Sequence, residues 1–177
     1  MAARQHNRLS TKATAWESGQ AIVEFSLVMF IMFFIVFAII DFSRAIYDLQ
    51  VMSGLTREGS NLASRGTDLP STVATLIAES TTLDLQNNGR VIVTAVTNNG
   101  GTKRITGQVS QGGISASSKV GQGVGTAATL PAAAASMLGP NQTIYVTEVF
   151  YSYESITPIG QLFNLTLPSP LYDVAYF

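Results

Sequence analysis

Apolar residues fill the chain from Phe25 to Ile40 on every side of a helical wheel, with Ser26 the single polar side chain in the run. A helix of a small soluble domain presents one apolar stripe, so all-round hydrophobicity favours lipid over a buried core as its surroundings. Taken back to Ala21, the segment holds 20 residues with Glu24 and Ser26 as its polar members. At about 1.5 Å per residue it spans about 30 Å, the hydrocarbon thickness of a bilayer. Beyond it the pattern changes. Phe42, Ala45, Ile46, Leu49, Met52, Thr56, Gly59, Leu62 and Ala63 recur at steps of three and four, which predicts a helix continuing to about Arg65 with one face packed. Gly54 and Gly59 each cost about 1 kcal/mol against Ala in a helix interior, so they mark either a loosened helix or a close approach. Gly66 then supplies a stop and Asp68-Leu69-Pro70 a turn.

The remainder reads as a small mixed domain. Residues 71–80 form a short helix with Val73, Leu76 and Ile77 apolar, started by Pro70 or Ser71. Arg90 to Thr97 is rich in β-branched residues, and Asn98-Asn99-Gly100-Gly101 suits a hairpin turn returning through residues 102–110. Residues 111–139 are mostly Gly, Ser, Ala and Thr, which predicts a long loop of little bulk with a short Ala-rich helix at 132–138. Residues 143–153 make the strongest strand. Ile144, Val146, Glu148 and Phe150 alternate there with Tyr145, Thr147, Val149 and Tyr151, which sets Glu148 on an otherwise apolar face. Pro158, Pro168 and Pro170 interrupt the chain beyond that strand, and residues 172–177 close the sheet as an edge strand. The aromatic set Tyr145, Phe150, Tyr151, Tyr153, Phe163, Tyr172, Tyr176 and Phe177 is read as packing of that sheet, with a sticky interface as the alternative. The fold class is α+β: a long N-terminal helix followed by a small, mainly antiparallel sheet.

Composition narrows the function. A formal net charge of -1 with 12% charged residues leaves no basic surface to neutralise phosphates, so no nucleic-acid partner is expected. The chain has no Cys, and its one His is His6, so thiolate and imidazole metal sites are not expected and no cofactor is implied. Acids beyond the helix are scattered (Asp68, Glu79, Asp84, Glu148, Glu154, Asp173), with no paired carboxylates, and a Ser nucleophile would have only Lys103 or Lys119 as base. No catalytic residue is assigned and no enzyme is expected. Gly121-Gln122-Gly123-Val124-Gly125 has the look of a phosphate cradle, but no Lys-Ser or Lys-Thr comes after it, and a surface loop accounts for it.

Arg4, Arg8 and Lys12 precede the apolar run and a mixed Asp41, Arg44, Asp48 set lies beyond it. The positive-inside bias therefore puts the N-terminus in the cytoplasm and the bulk of the chain outside. Bulky and charged residues at 40–44 offer no signal-peptidase site behind the run, so the helix is expected to stay attached. Glu24 is the anomaly. A carboxylate at the bilayer centre costs about 3 kcal/mol, less near the interface, and usually has a partner. Alternatively it sits at headgroup level and gains from the helix macrodipole.

The string Gly19-Gln20-Ala21-Ile22-Val23-Glu24-Phe25 resembles the processing site of type IV prepilins: a Gly, four residues, a Glu, then an aromatic opening the helix. The resemblance extends through Glu24-Phe25-Ser26-Leu27, Asp41-Phe42-Ser43-Arg44-Ala45, Tyr47 and Arg57-Glu58-Gly59, and over roughly Gly19 to Ala63 it is similar to the TadE-like pseudopilins of the Flp/Tad (type IVb) pilus. Two positions depart from the pattern: Asp41 stands where the family often has Glu, and Ser60 where it often has Ala. The resemblance implies a pilin-like fold and a cut by a prepilin peptidase between Gly19 and Gln20. It also implies that Glu24 pairs with the free amine of a neighbouring subunit. Partners implied are other pilins and pseudopilins, the inner-membrane Tad assembly platform and membrane lipid.

The expected organisation is a cytoplasmic leader (1–19), a transmembrane helix (20–40), its periplasmic extension (41–65) and a periplasmic α+β domain (66–177) with the loop 111–139. The expected role is a minor pilin or pseudopilin that resides in the bacterial inner membrane or enters the extracellular pilus. The alternative is an unprocessed single-pass periplasmic binding or scaffold protein. Arg44, Arg57 and Glu58 also have the plainer reading of solvated helix charges.

Overall fold

The computed structural model describes residues 3–158, 160 and 169–177, with side chains from residue 19 onward. Phe163 and Pro168 lie outside the described residues. The chain is α+β: α1 (Ala3–Ser64), α2 (Leu69–Glu79), α3 (Leu85–Asn88), β1 (Gly89–Asn99), β2 (Thr102–Gly112), α4 (Ala132–Met137), β3 (Thr143–Tyr151) and β4 (Leu171–Tyr176). It divides into two compact units, Met1–Ser43 with Ser155–Asn164, and Arg44–Glu154 with Leu165–Phe177.

In the first unit the helix surface is exposed. Phe25, Phe30 and Phe33 are 64%, 63% and 54% accessible. Within Gly19–Ser64 the helix is long and apolar enough to cross a membrane. Aromatic pairs one turn apart, Phe30 on Phe34 edge to face at 4.7 Å and Phe33 on Phe37 at 6.4 Å, line its surface. α1 ends as the stop at Gly66 predicts. Gly66 adopts φ 96°, its N–H bonds to Ala63 O at 3.1 Å, and Thr67 N–H reaches Leu62 O at 3.2 Å, the pair of bonds that closes a helix through a left-handed residue. α2 starts two residues earlier than its Pro and Ser suggest, because Asp68 is its N-cap and accepts from Ser71 N at 3.0 Å.

In the second unit an antiparallel sheet runs in the order β2-β1-β3-β4. Gly100 and Gly101, at φ 61° and 88°, form the tight β1–β2 turn. With β1 and β3 central, both faces of the sheet need cover. One face carries a core of Met52, Leu55 and Ala63 from α1, Val73 and Leu76 from α2, and Val91, Val93 and Val149 from the strands. On the other, Val96, Ile105, Ile144 and Val146 meet Val120, Ala134 and Leu138. The Gly/Ser/Ala stretch is thus a loop with a short helix, as read, but it also supplies buried apolar groups to a second core. Double-sided burial explains the nearly continuous apolar reading of β1.

The packed face of α1 follows the periodicity in part, with Ala45, Met52, Thr56, Gly59 and Ala63 buried where the spacing puts them. Asp48, Leu55 and Ser60 are buried as well, while Phe42, Ile46 and Leu49 are 60%, 41% and 39% exposed. Three polar side chains share the buried stripe because each has a partner. Thr56 Oγ1 donates to Asp173 Oδ2 at 2.6 Å. Ser60 Oγ accepts from Thr147 N at 3.0 Å and donates to Ala175 O at 3.0 Å. Thr147 and Ala175 face each other across β3 and β4, so a helix hydroxyl bridges a rung of the ladder. Asp48 meets Arg44 Nε at 3.3 Å.

The approach that lets Ser60 reach the sheet is set by its neighbour. A Cβ on Gly59 would lie 2.5 Å from Leu76 Cδ1 and 2.8 Å from Thr147 Oγ1, whereas one on Gly54 would meet nothing within 4 Å. Close packing therefore accounts for Gly59 and not for Gly54. Gly59→Ala is expected to destabilise the sheet-bearing unit by about 1–3 kcal/mol through overpacking. Gly54→Ala should stabilise it by about 0.5–1 kcal/mol through helix propensity. Urea unfolding of the detergent-solubilised protein reads both, and equal shifts would contradict the packing.

Candidate functional site

The motif residues lie on the exposed surface of α1. Gly19 has no neighbour within 4 Å of where its side chain would be, and Phe25 opens the apolar run at 64% exposure. Glu24 Oε1 accepts from Gln20 Nε2 at 2.9 Å, one turn back along the helix. Ser26, the other polar group of the span, donates to Ile22 O at 2.7 Å and so needs no further partner in lipid. The anomalous carboxylate therefore has a neutral donor within its own chain.

Asp41 receives a segment that returns to the helix. Ser155 Oγ donates to its Oδ2 at 2.6 Å, Thr157 N–H to its Oδ1 at 3.2 Å, and Thr157 Oγ1 also to Oδ2. Burial pushes the Asp41 carboxyl up, but the Ser155 and Thr157 hydrogen bonds outweigh it and hold the group below its ordinary value of 3.8. Further along the helix, Asp48 shows the opposite balance, since burial raises it despite the Arg44 guanidinium. Tyr47 is 49% exposed. Arg57 and Glu58 are exposed and Gly59 is buried. The six positions of the helix motif thus do not converge on one cavity: Asp41 holds a loop, Arg44 neutralises a buried acid, Gly59 admits the sheet, and Tyr47, Arg57 and Glu58 face outward.

A further polar centre lies on the sheet face opposite α1. Glu148 is 0% exposed, and three donors meet it: Ser118 Oγ, Lys119 N–H at 2.8 Å and Tyr172 OH at 3.0 Å. Lys119 Nζ stands 3.5 Å over the Tyr172 ring. Burial, with the Glu148 carboxylate beside it, drives the Tyr172 phenol far above its usual value, so it remains a donor. The sequence flagged Glu148 only as an acid on an apolar strand face. Two of its partners lie in the low-complexity loop, where no periodicity marks them. The Gly121–Gly125 stretch is occupied internally: Gly123 N–H donates to Gln108 Oε1 at 3.0 Å and Gly125 N–H to Ile105 O at 2.7 Å. Those amides are not available to a phosphate.

These features define a protein with a helix long and apolar enough to cross a membrane in one unit and an α+β sheet packed on helical residues 45–63 in the other. Residues 19–61 match the family described as TadE-like protein, a similarity that covers part of α1. The match begins at Gly19, includes all the motif positions named above, and leaves α2 and the sheet outside it. No curated protein and no solved structure gives a significant match to the chain.

The two acid sites can be tested separately. Glu148→Ala removes the acceptor shared by Ser118, Lys119 and Tyr172 and is expected to cost about 2–5 kcal/mol, with earlier proteolysis in residues 111–139 than elsewhere in the sheet unit. Cleavage that starts elsewhere would contradict the pinning. For Asp41, a folded pKa lowered below 3.8 means that its contribution is present above the unfolded value and is lost as pH falls through the lowered one. Amide exchange at Thr157 should therefore accelerate on acidification below 3.8 beyond the intrinsic rate, and Asp41→Asn should abolish that dependence.

Proposed function

We propose that this chain is a TadE-like pseudopilin, a minor subunit required to assemble a Tad/Flp pilus, made as a prepilin and cut after Gly19. The observation that carries the reading is the Gly19, Glu24, Phe25 spacing at the head of a membrane-compatible helix, at the position where the TadE-like match begins. In this reading residues 1–19 are cytoplasmic, the helix crosses the inner membrane once and the sheet unit is periplasmic. The prepilin peptidase, other pilins and the inner-membrane assembly platform are its partners. Its role is structural rather than catalytic.

Processing requires local unwinding. The Gly19–Gln20 bond lies inside the continuous helix Ala3–Ser64, while a peptidase takes an extended substrate, so the turn around the cut must open. Gly19 eases that step, since Gly disfavours a helix interior by about 1 kcal/mol against Ala. Once cut, Gln20 carries a free ammonium, and Glu24 of another subunit offers it a carboxylate in a medium of low dielectric.

One observation favours the second reading, an unprocessed single-pass scaffold: Glu24 already has a donor in Gln20 of its own chain. The N-terminus discriminates. Mass spectrometry of the protein from cells with an active prepilin peptidase is expected to find Gln20 first, and a chain that keeps residues 1–19 would overturn processing. Glu24→Ala should be processed and retained in the membrane yet leave cells without pili. Normal piliation with that variant would remove the role given to Glu24.

A further inference from the structure

We propose that Gln20 is a site of N-terminal cyclisation that Glu24 holds open. The inference rests on the cut after Gly19, which makes Gln20 the first residue. An N-terminal glutamine carries both halves of a reaction. Its α-amine can attack Cδ of its own carboxamide, the N–Cδ bond forms, the Cδ–Nε2 bond breaks, and Nε2 leaves as ammonia with the proton that the amine gives up. The product is a neutral pyroglutamyl lactam. No co-reactant is needed, so the free terminus is under standing chemical threat, and cyclisation would erase the positive charge on which the proposed subunit contact depends.

The geometry opposes that outcome. Gln20 Nε2 donates to Glu24 Oε1 at 2.9 Å. Glu24 lies four residues towards the helix C-terminus, about 6 Å along the axis, whereas the α-nitrogen of Gln20 lies on the N-terminal side of its Cα. A carboxamide engaged with Glu24 is therefore turned away from its own nucleophile. Donation to a carboxylate also enriches the amide in electron density, which makes Cδ a poorer electrophile. Both side chains are exposed on the helix surface, so in water the protection is that of a single i,i+4 pair, about twofold in occupancy. Glu24 thus preserves within its own chain the kind of charge it is proposed to bind on a neighbour.

The test uses the full chain matured in cells, purified in detergent and incubated while the N-terminal peptide is followed by mass spectrometry. Cyclisation reads as loss of one ammonia. Wild type is expected to convert about twofold more slowly than Glu24→Ala. Glu24→Gln, which keeps an acceptor oxygen but not the charge, should convert at a rate between those of wild type and Glu24→Ala. Equal rates for wild type and Glu24→Ala would overturn the inference, and so would a Glu24→Gln rate matching Glu24→Ala, which would assign the effect to charge acting on the amine. A terminus at Met1 would instead remove the processing reading, whereas a Gln20 terminus with equal rates removes this inference alone.

Discussion

The sheet unit depends on how closely the last turns of α1 approach β3 and β4. At Gly59 the helix is near enough that a methyl group would collide with Leu76 and Thr147, and at Ser60 the helix enters the hydrogen bonding of the ladder itself. A buried N–H and a buried C=O would each cost about 1–3 kcal/mol if unmet, so the hydroxyl is part of the β3–β4 pairing rather than an addition to it. One turn earlier Thr56 ties the helix to β4 through the Asp173 side chain. The edge strand β4 is consequently held from two sides, by β3 in the sheet and by α1 beneath it. Ser60 has a definite physical role here: its hydroxyl bridges the strands.

The opposite face obeys a different rule. Ile144, Val146, Glu148 and Phe150 would sit under solvent without the loop 111–139, and that loop lacks the bulky residues of an ordinary covering layer. It is held instead by a few anchors. Val120, Ala134 and Leu138 enter the second core, and Ser118 and Lys119 close on Glu148. A buried carboxylate is costly unless its oxygens are satisfied, and here backbone, hydroxyl and phenol donors share the task. The same polar group that would weaken a bare strand fixes the path of a loop that composition leaves undetermined.

Much of this was legible in the sequence where periodicity and turn chemistry act locally. The long helix, its stop at Gly66, the Gly100-Gly101 hairpin, the short Ala-rich helix and the antiparallel strands all derive from residue spacing and from glycine's tolerance of positive φ. What could not be read is which apolar residues of α1 face the sheet. Phe42, Ile46 and Leu49 have core-like spacing, yet the buried stripe passes through Asp48 and Ser60 as well as the expected Thr56. Those polar groups are buried only because each has a specific partner, far away in sequence for Thr56 and Ser60 and one turn away for Asp48. Local patterning carries no information about the distant partners. The Ser118 and Glu148 pairing escaped for the same reason.

Glu24 shows how the two levels meet at the candidate site. Its spacing from Gly19 carries the family resemblance, and its exposure on a lipid-compatible helix poses the energetic problem. The Gln20 carboxamide answers that problem only partly, because a neutral donor offsets less of the cost of a carboxylate in low dielectric than a cation does. In the proposed pseudopilin reading, a subunit whose acid is provisionally satisfied could remain in the membrane alone, while a better partner would still be worth gaining. Exchange of the internal carboxamide for an ammonium on another chain would then be favourable for a reason set by charge, and it would be available only after the bond between Gly19 and Gln20 has been cut.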